Sequence, residues 1–372
     1  MASGEDARWM QLALGLGARG LGRVWPNPAV GCVIVRAGRV VGRGWTQDGG
    51  RPHAETMALA QAGANAHGAT AYVSLEPCSH HGQTPPCADA LIAAGVARVV
   101  VALGDPDPRV SGRGLAALRA AGITVTEDVC APKARIAHRG FLTRVTQGRP
   151  MVTLKLATSV DGRIATATGE SRWITGAPAR AWVHGLRASH DAVLVGAGTA
   201  RQDDPGLTVR GLGIAHQPVR IVVSRRLDLP LDSQLRRSAG DVPVWLCHGP
   251  DAPAAAKAAW DDAGAHRIAV GAGPGGQLDL AAVLAALGDA GLTRILCEGG
   301  GTLAAGLLSA DLVDDLVVIS AGMALGAEGR PAVGAMGIAA LVEAPRFILQ
   351  DTRPLGADVV CLWRRDPDRA MG

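Results

Sequence analysis

The stretch that decides how this chain folds and works lies at residues 53–87 and carries three zinc-type ligands and a carboxylate. It reads His-Ala-Glu at 53–55, Leu-Glu-Pro-Cys at 75–78 and Pro-Pro-Cys at 85–87. One imidazole and two thiols suit zinc, and three protein ligands leave the fourth tetrahedral position to water. Glu55 follows His53 by two residues, where it can exchange protons with that water. The pattern predicts a catalytic zinc site with ligands His53, Cys78 and Cys87 and with Glu55 as general acid and base.

The spacing resembles the signature of zinc nucleobase deaminases, HxE followed by PCxxC, with one departure. Eight residues separate Cys78 from Cys87, where the signature has two. We expect this longer connection, which carries His80 and His81, to lie over the metal as a substrate-binding loop. The alternative is a structural zinc site or unrelated buried thiols, since free cysteine is often a small core residue. Four elements in the expected order favour the catalytic interpretation.

Length and composition indicate an α/β enzyme of about two domains, since the chain has 372 residues. The net charge of +4 is mild and no block of like charges occurs, so we expect neither a nucleic-acid nor a membrane partner. The acidic N-terminus lacks the features of a signal peptide, and a cytoplasmic location is expected. The seven cysteines are scattered, which does not suggest a disulfide framework.

The front half alternates helical and strand patterns and predicts a mixed sheet with helices on both faces. The predicted helices lie near 5–19, 54–64, 87–94 and 133–144, the strands near 30–35, 39–44, 69–75 and 97–103, and a further helix and strand within 114–126. His53 and Cys87 each stand where a helix begins, and the helix dipole there favours an anionic thiolate. We expect a first domain at 1–146, a linker at 147–150 and a second domain at 151–372.

The second half restarts the alternation and predicts another α/β domain. The predicted strands lie near 151–157, 192–195, 219–223, 242–246, 294–297 and 313–320, with helices near 179–188, 252–262 and 279–288. The glycines at 271–276 match GxGxxG formally, but Pro274 interrupts the turn and Asp279 is the expected N-cap, so we predict a surface loop. The Cys-Glu-Gly-Gly-Gly-Thr-Leu run at 297–303 follows a strand directly and suits phosphate binding.

Three further features leave alternatives open. Asn27 lies between two prolines, where an extended, stiff backbone would present its amide to a heterocycle; ordinary turn chemistry is the alternative. The loop at 105–114 follows a strand, and both a substrate contact and a plain turn fit it. Ser224-Arg225-Arg226 also ends a strand, and its arginines suit the 2′-phosphate of NADP or form a solvated turn.

Several motifs in one order resemble the bifunctional riboflavin-biosynthesis family. They are PNPAVGCVIV, HAE, LEPCSHHGQTPPC, KLATSVDGRIA, GESRWIT, DDPGLTVR and CEGGGTLAAGLL. That family joins a diaminohydroxyphosphoribosylaminopyrimidine deaminase to a 5-amino-6-(5-phosphoribosylamino)uracil reductase. The resemblance covers nearly the whole chain. It implies a cytidine-deaminase-like domain in front and a dihydrofolate-reductase-like domain behind.

The resemblance also implies roles for individual residues in the front domain. His53, Cys78 and Cys87 would hold Zn²⁺, and Glu55 would carry a proton from the attacking water to the departing ammonia. Asn27 and the loop with His80 and His81 would orient the base and its phosphoribosyl group. Gln83 stands where some relatives carry a lysine or arginine.

For the rear domain, the resemblance implies that NADPH delivers hydride to C1′ of the ribosyl group. The implied cofactor contacts are Ala157, Trp173, Thr199, Asp203, Ser224, Gly300, Gly301, Thr302, Leu303, Ala304, Ala305 and Gly306. The implied substrate contacts are Lys155, Ser171, Arg187, Leu207, Arg210 and Glu298. By residue type alone, Trp173 and Leu207 also fit a core position and Arg187 an exposed helix position. The expected partner is a small phosphoribosyl pyrimidine, bound by a homo-oligomer.

Two other interpretations compete with this one. A nucleic-acid base deaminase with a non-catalytic rear binding domain would need basic stripes with interleaved aromatics, yet aromatic residues make up only 3% of the chain, with a single tyrosine, Tyr72. A zinc-stabilised scaffold protein would need a closed site with four ligands. The motif supplies three ligands and a carboxylate, which favours catalysis.

Overall fold

The computed structural model describes residues 4–80 and 85–366, and the chain divides into two compact units, Met1–Gly148 and Arg149–Gly372. The expectations for His81 and Gln83 lie outside the described residues. No helix in the described ranges is long and apolar enough to span a membrane.

The first unit is built on a mixed sheet with strand order β2-β1-β3-β4-β5 within its described residues. Its strands are β1 (Gly31–Arg36), β2 (Arg39–Trp45), β3 (Thr70–Val73), β4 (Arg98–Val101) and β5 (Thr124–Thr126), and its helices are α1 (Gly4–Gly17), α2 (Ala54–Ala62), α3 (Cys87–Ala93), α4 (Arg113–Ala120) and α5 (Ala131–Gln147). The first three strands pair antiparallel and the last three parallel. The predicted mixed sheet is confirmed.

Glycines on the first hairpin let two helices approach opposite faces of this sheet. A Cβ on Gly31 would lie 1.9 Å from the carbonyl oxygen of Ala13 in α1. On β2, a Cβ on Gly44 would lie 2.4 Å from the carbonyl oxygen of Ala54 in α2. Gly44 pairs with Cys32, the neighbour of Gly31, and successive residues of a strand face opposite sides. Helix α2, which carries Glu55, is therefore seated directly on strand backbone.

This close packing yields a first prediction. Replacing Gly44 by alanine pushes α2 off the sheet, and we expect it to lower the free energy of unfolding of the first unit by about 1–3 kcal/mol. Gly15→Ala is the matched control, because a Cβ at Gly15 on α1 would have no neighbouring atom within 4 Å and alanine favours a helix. Chemical denaturation measures both variants. Equal stability of the Gly44→Ala variant and the parent would contradict the packing argument.

The second unit contains a larger sheet with strand order β11-β10-β9-β8-β12-β6-β13-β16-β15 in its described part. Its strands are β6 (Met151–Ser159), β7 (Arg163–Ala165), β8 (Ala192–Gly196), β9 (Val219–Val223), β10 (Val244–His248), β11 (His266–Ala269), β12 (Arg294–Gly299), β13 (Asp315–Ala321), β14 (Arg330–Pro331), β15 (Phe347–Leu355) and β16 (Asp358–Arg365). Its helices are α6 (Ala177–Ala188), α7 (Ala197–Asp203), α8 (Gln234–Arg237), α9 (Ala254–Asp261), α10 (Leu280–Asp289) and α11 (Gly301–Ser309). Strands β7 and β14 form a separate pair.

The two edges of this large sheet differ in strand direction. From β11 to β13 all neighbours are parallel, whereas β16 pairs antiparallel with β13 and β15 antiparallel with β16. The sequence interpretation ended the sheet at 313–320 and missed this hairpin. Strand β15 is exposed along most of its length and contains Pro354, so it lacks the apolar alternation of a half-buried strand.

Two helix ends can be compared with the positions predicted from the sequence. Asp279 caps α10, because its side chain accepts from the backbone N–H groups of Ala281 and Ala282, as predicted. Helix α5 runs through Gln147 and ends at Gly148, whose φ of 68° lies in the left-handed region. The predicted linker therefore begins one residue inside the helix.

Asn27 is the last residue of a turn that begins at Val24. Its backbone N–H donates to the carbonyl oxygen of Val24 at 3.0 Å, which closes the turn around Pro26.

Candidate active sites

The three predicted zinc ligands come together in the first unit. His53 is the N-cap of α2, Cys78 lies in the loop after β3, and Cys87 is the first residue of α3. Their ligand atoms all lie within 4.8 Å of one another. His53 Nδ1 is 3.3 Å from Cys87 Sγ and 3.6 Å from Cys78 Sγ. The beginnings of α2 and α3 and the loop after β3 therefore bring the three ligands together.

These separations fit a zinc ion. Bonds of about 2.0 Å to nitrogen and about 2.3 Å to sulfur at a tetrahedral angle put N and S about 3.5 Å apart. The observed distances lie on either side of that value. Among the described residues the cluster holds three ligands and no fourth, which is the donor set of a catalytic zinc site.

A hydrogen bond between the two thiols favours the thiolate form of Cys78. The hydrogen bond from Cys87 lowers the pKa of Cys78 to about 4, and the same interaction raises the pKa of Cys87. The backbone N–H of Cys87 also donates to Cys78 Sγ at 3.3 Å. Thiolate is the ligand form of cysteine, so the site is set up for a cation.

Glu55 lies beside this cluster and is 3% exposed. Burial raises the pKa of Glu55 to about 7, and the negative charge on Cys78 acts in the same direction. A carboxyl group that titrates near neutral pH can both accept and release a proton, which is what a general acid and base must do.

The other predicted contacts of the first unit lie nearby in the chain. Asn27 Nδ2 donates to the carbonyl oxygen of Gly50 at 2.9 Å, so its side chain has a fixed orientation. His80 follows the ligand Cys78 by two residues and is half-buried. In the loop at 105–114, Arg109 Nε donates to Asp107 Oδ1 at 3.0 Å and Nη2 to Oδ2 at 2.6 Å, and both Asp105 and Asp107 are buried.

A charged cluster in the second unit joins three predicted substrate contacts. Arg187 Nε donates to Glu298 Oε1 at 2.5 Å and Nη2 to Oε2 at 3.0 Å, while Lys155 Nζ is 3.7 Å from Oε2. Burial opposes ionisation of Glu298, but Arg187 and Lys155 outweigh it and lower its pKa to about 2. Strands β6 and β12 are neighbours, which brings Lys155 and Glu298 together.

Arg187 also organises the segment that carries two further predicted contacts. Its Nη1 donates to the carbonyl oxygen of Thr208 at 2.8 Å. One turn earlier on α6, His184 Nδ1 accepts the backbone N–H of Arg210 at 3.3 Å. Leu207 is buried and has a φ of 53°, a conformation that side chains seldom adopt. Arg187 and His184 therefore hold the segment 207–210 at two points. The side chain of Arg210 is exposed.

The predicted cofactor contacts fall into groups. Thr199 lies at the start of α7 next to Gly300, where a Cβ would be 3.1 Å from Thr199 Oγ1. Asp203 lies at the end of α7, and burial raises the pKa of its carboxyl group, while Arg172 and the Ser171 hydroxyl act in the opposite direction. Ala157 lies on β6, whose neighbours are β12 and β13.

Backbone conformation and close packing explain the glycines at 299–301. Gly300 has a φ of 76°, which favours glycine, and it is the N-cap of α11. A Cβ on Gly299 would lie 2.9 Å from Val195 Cα, and one on Gly301 would lie 2.7 Å from the carbonyl oxygen of Pro331. Further along α11, Thr302 is exposed, Leu303, Ala304 and Ala305 are buried, and Gly306 packs against Leu280.

Ser224 and Trp173 occupy contrasting positions. Ser224 is buried at the end of β9, and its hydroxyl donates to Asp228. The neighbouring Arg225 pairs with Asp251 at 2.7 Å. Trp173 is 64% exposed, and the guanidinium of Arg180 lies 4.5 Å from its ring centroid. Exposure excludes the core interpretation of Trp173, whereas Leu207 is both buried and next to the site.

Sequence reasoning missed two residues that organise these sites. Glu76 stands two residues before a zinc ligand, and His184 stands three residues before Arg187, on the same helical face. Both residues lie within three positions of a predicted site residue, and this proximity is the sequence signal that could have identified them.

Comparison with known proteins identifies both units. Residues 3–103 match the cytidine and deoxycytidylate deaminase zinc-binding region, and residues 150–361 match the RibD C-terminal domain. The riboflavin biosynthesis protein RibD of Escherichia coli is 42% identical over 370 residues, covering 96% of this chain and 98% of that protein. The one from Aquifex aeolicus is 39% identical, covering 97% and 98%.

Solved structures agree along nearly the whole chain. Acinetobacter baumannii RibD superposes with a TM-score of 0.88 at 38% identity, covering 97% of this chain and 99% of that one. A Thermotoga maritima protein, described as a diaminohydroxyphosphoribosylaminopyrimidine deaminase/5-amino-6-(5-phosphoribosylamino)uracil reductase, gives 0.84 at 32% identity with the same coverage. The cytidine-deaminase-like and reductase folds, with their cofactors Zn²⁺ and NADPH, are thereby confirmed. The chain belongs to the RibD family, whose members are bifunctional deaminases and reductases of riboflavin biosynthesis.

Proposed function

We propose that residues 1–146 deaminate 2,5-diamino-6-(5-phosphoribosylamino)pyrimidin-4(3H)-one and that residues 151–372 then reduce the ribosyl group of the product to ribityl. The observation that carries the proposal is the cluster of His53, Cys78 and Cys87 with the buried Glu55 beside it. The description of the T. maritima protein supports this choice of substrates.

In the first reaction, His53, Cys78 and Cys87 hold zinc and Glu55 moves the protons. Bound zinc supplies an activated water whose pKa falls toward about 7. Glu55 takes a proton from the attacking water as a C–O bond forms at the amino-bearing carbon 2 and passes it to the adjacent ring nitrogen. It then moves the remaining hydroxyl proton to the amino group as the C–N bond breaks. Ammonia leaves and a carbonyl group remains. Asn27 and His80 orient the pyrimidine.

In the second reaction, the charged cluster of the second unit holds the ribosyl group. Bound NADPH supplies the hydride to C1′, and the ring oxygen must gain a proton as its bond to C1′ breaks. Glu298, with its pKa lowered to about 2, is ionised at neutral pH and cannot donate that proton. We assign the donation to the ammonium group of Lys155. Glu298 and Arg187 bind sugar hydroxyls, Ser171 and Leu207 line the site, and Arg210 binds the phosphate.

The cofactor lies along the carboxyl ends of β6, β8, β9 and β12 in this proposal, against Ala157, Trp173, Thr199, Asp203, Ser224 and the segment from Gly300 to Gly306. Parallel strands expose this edge to ligands in α/β sheets. Arg225 and Arg226 follow Ser224 and provide positive charge for the 2′-phosphate that distinguishes NADPH from NADH.

The direct test follows the products by mass. Purified protein given the pyrimidine phosphate alone should convert it to the deaminated ribosyl compound, a gain of one mass unit as NH is replaced by O. Added NADPH should then give the ribityl compound, two mass units heavier, and NADH should do so poorly. Absence of the first mass change in zinc-loaded protein would refute the deaminase assignment, and absence of the second would refute the reductase assignment.

We also propose that the protein is a homo-oligomer and acts in the cytoplasm on small molecules, without nucleic-acid or membrane partners. Edge strand β15 supports oligomerisation, because Ile348 and Leu349 on it are 48% and 49% exposed and Leu341 nearby in sequence is 84% exposed. Unpaired apolar edges invite pairing with another chain. Light scattering at micromolar concentration should give a multiple of 37.9 kDa; a monomer mass would contradict this expectation.

A further inference from the structure

We infer that Glu76 is a positioning residue that couples the zinc ligand Cys78 to the loop at 105–114. Glu76 is 4% exposed and lies two residues before Cys78. Nothing in the proposed chemistry uses its carboxylate. The inference rests on the proposed zinc site, because the coupled partner is a zinc ligand.

Both carboxylate oxygens of Glu76 are fully used by backbone N–H groups. Oε2 accepts from Asp105 at 3.2 Å and from Gly112 at 3.0 Å. Oε1 accepts from Gly114 at 3.0 Å and from Leu115 at 3.4 Å, at the start of α4. A carboxylate offers four lone-pair sites, and a helix N-terminus favours a negative charge. One side chain therefore ties both ends of the loop to the segment that carries Cys78.

The backbone next to Glu76 is locked to the same helix. A Cβ on Gly114 would lie 2.1 Å from the carbonyl oxygen of Pro77, so Pro77 rests directly on the backbone of α4. The carbonyl oxygen of Cys78 accepts the backbone N–H of Ala88 in α3. Any shift of α4 must move Pro77, and with it the neighbouring Cys78 ligand. Metal sites lose affinity by about 10- to 100-fold when such supporting contacts are removed.

Substitution by glutamine tests this coupling with little change of shape. Glutamine supplies one acceptor oxygen, and its NH₂ group must face two of the backbone donors. We expect Glu76→Gln to release zinc to a chromogenic chelator about 10- to 100-fold faster than the parent. Gly114→Ala should also release zinc faster, because its Cβ displaces Pro77. This variant keeps the carboxylate of Glu76.

Asp6→Asn is the matched control for general destabilisation. Asp6 is equally buried in the first unit and binds Arg98 at 2.9 and 3.0 Å, but it does not contact the zinc ligands in any described bond. We expect this variant to lower Tm and to keep the parent's zinc release rate. If Glu76→Gln releases zinc no faster than Asp6→Asn at an equal loss of Tm, the inference is refuted.

The parent protein provides a test that needs no variant. Coupling is reciprocal, so removal of zinc should speed amide hydrogen exchange at Asp105, Gly112, Gly114 and Leu115 more than along β1. Equal acceleration at both places would overturn the inference. A parent that binds no zinc would refute the proposed deaminase site instead, so the two failures are distinguishable.

Discussion

Replacing Glu55 by glutamine is expected to lower the deaminase kcat by about 10²- to 10⁴-fold while zinc stays bound. The carboxyl group lies beside the zinc ligands but does not belong to the ligand set. Burial raises its pKa to about 7, which suits proton exchange at neutral pH, and an amide cannot exchange protons there. Ammonia release measures the rate, and elemental analysis measures the zinc content.

Two internal controls accompany this substitution. The reductase activity of the same variant, measured on substrate that is already deaminated, should equal that of the parent, because Glu55 lies in the other compact unit. Glutamine conserves the shape of the side chain, so Tm should change little. Undiminished ammonia release by the variant would remove Glu55 from the mechanism.

Replacing Glu298 by glutamine is expected to have the largest effect in the second unit. The side chains of Glu298, Arg187 and Lys155 are 9%, 12% and 14% exposed, so the substitution leaves two cations poorly compensated in a buried place. We expect the free energy of unfolding to fall by about 3 kcal/mol. We also expect reductase activity to fall about 100-fold, since the groups around the ribosyl site lose their alignment.

The pH dependence of stability supplies a second readout for Glu298. Its pKa is lowered to about 2, against about 4.3 in an unfolded chain. Its ionisation therefore stabilises the fold fully above about pH 4.3, and this contribution is lost as the pH falls toward 2. The Glu298→Gln variant should lose less stability than the parent between pH 5 and 3.

The control for both readouts is Asp261→Asn, which removes an exposed partner of Arg267 on the same unit. Exposed ion pairs contribute little, so this variant should keep the parent's activity and stability. A Glu298→Gln variant that behaves like the control, in denaturation and in NADPH oxidation, would show that the cluster is not needed for reduction.

Much of the candidate site followed from local sequence signals. The zinc ligands and Glu55 occur within one stretch of 35 residues whose side-chain chemistry is distinctive by itself. Strand and helix periodicity indicated the mixed sheet of the first unit, and Asp279 marked a helix start because its short side chain reaches the orphan N–H groups. The hairpin β15–β16 escaped these signals, because an exposed edge strand has no apolar face to alternate.

The amino-acid sequence alone determined the zinc donor set, the alternation of strands and helices and the family, because each depends on residue types at short, fixed spacings. Only the tertiary structure decided which distant residues meet. Glu298 and Arg187 are separated by 111 positions and Glu76 and Leu115 by 39, and each pair is joined by hydrogen bonds. Strand order and helix docking create such contacts by burying surface across the whole domain, and no short-range pattern encodes that order.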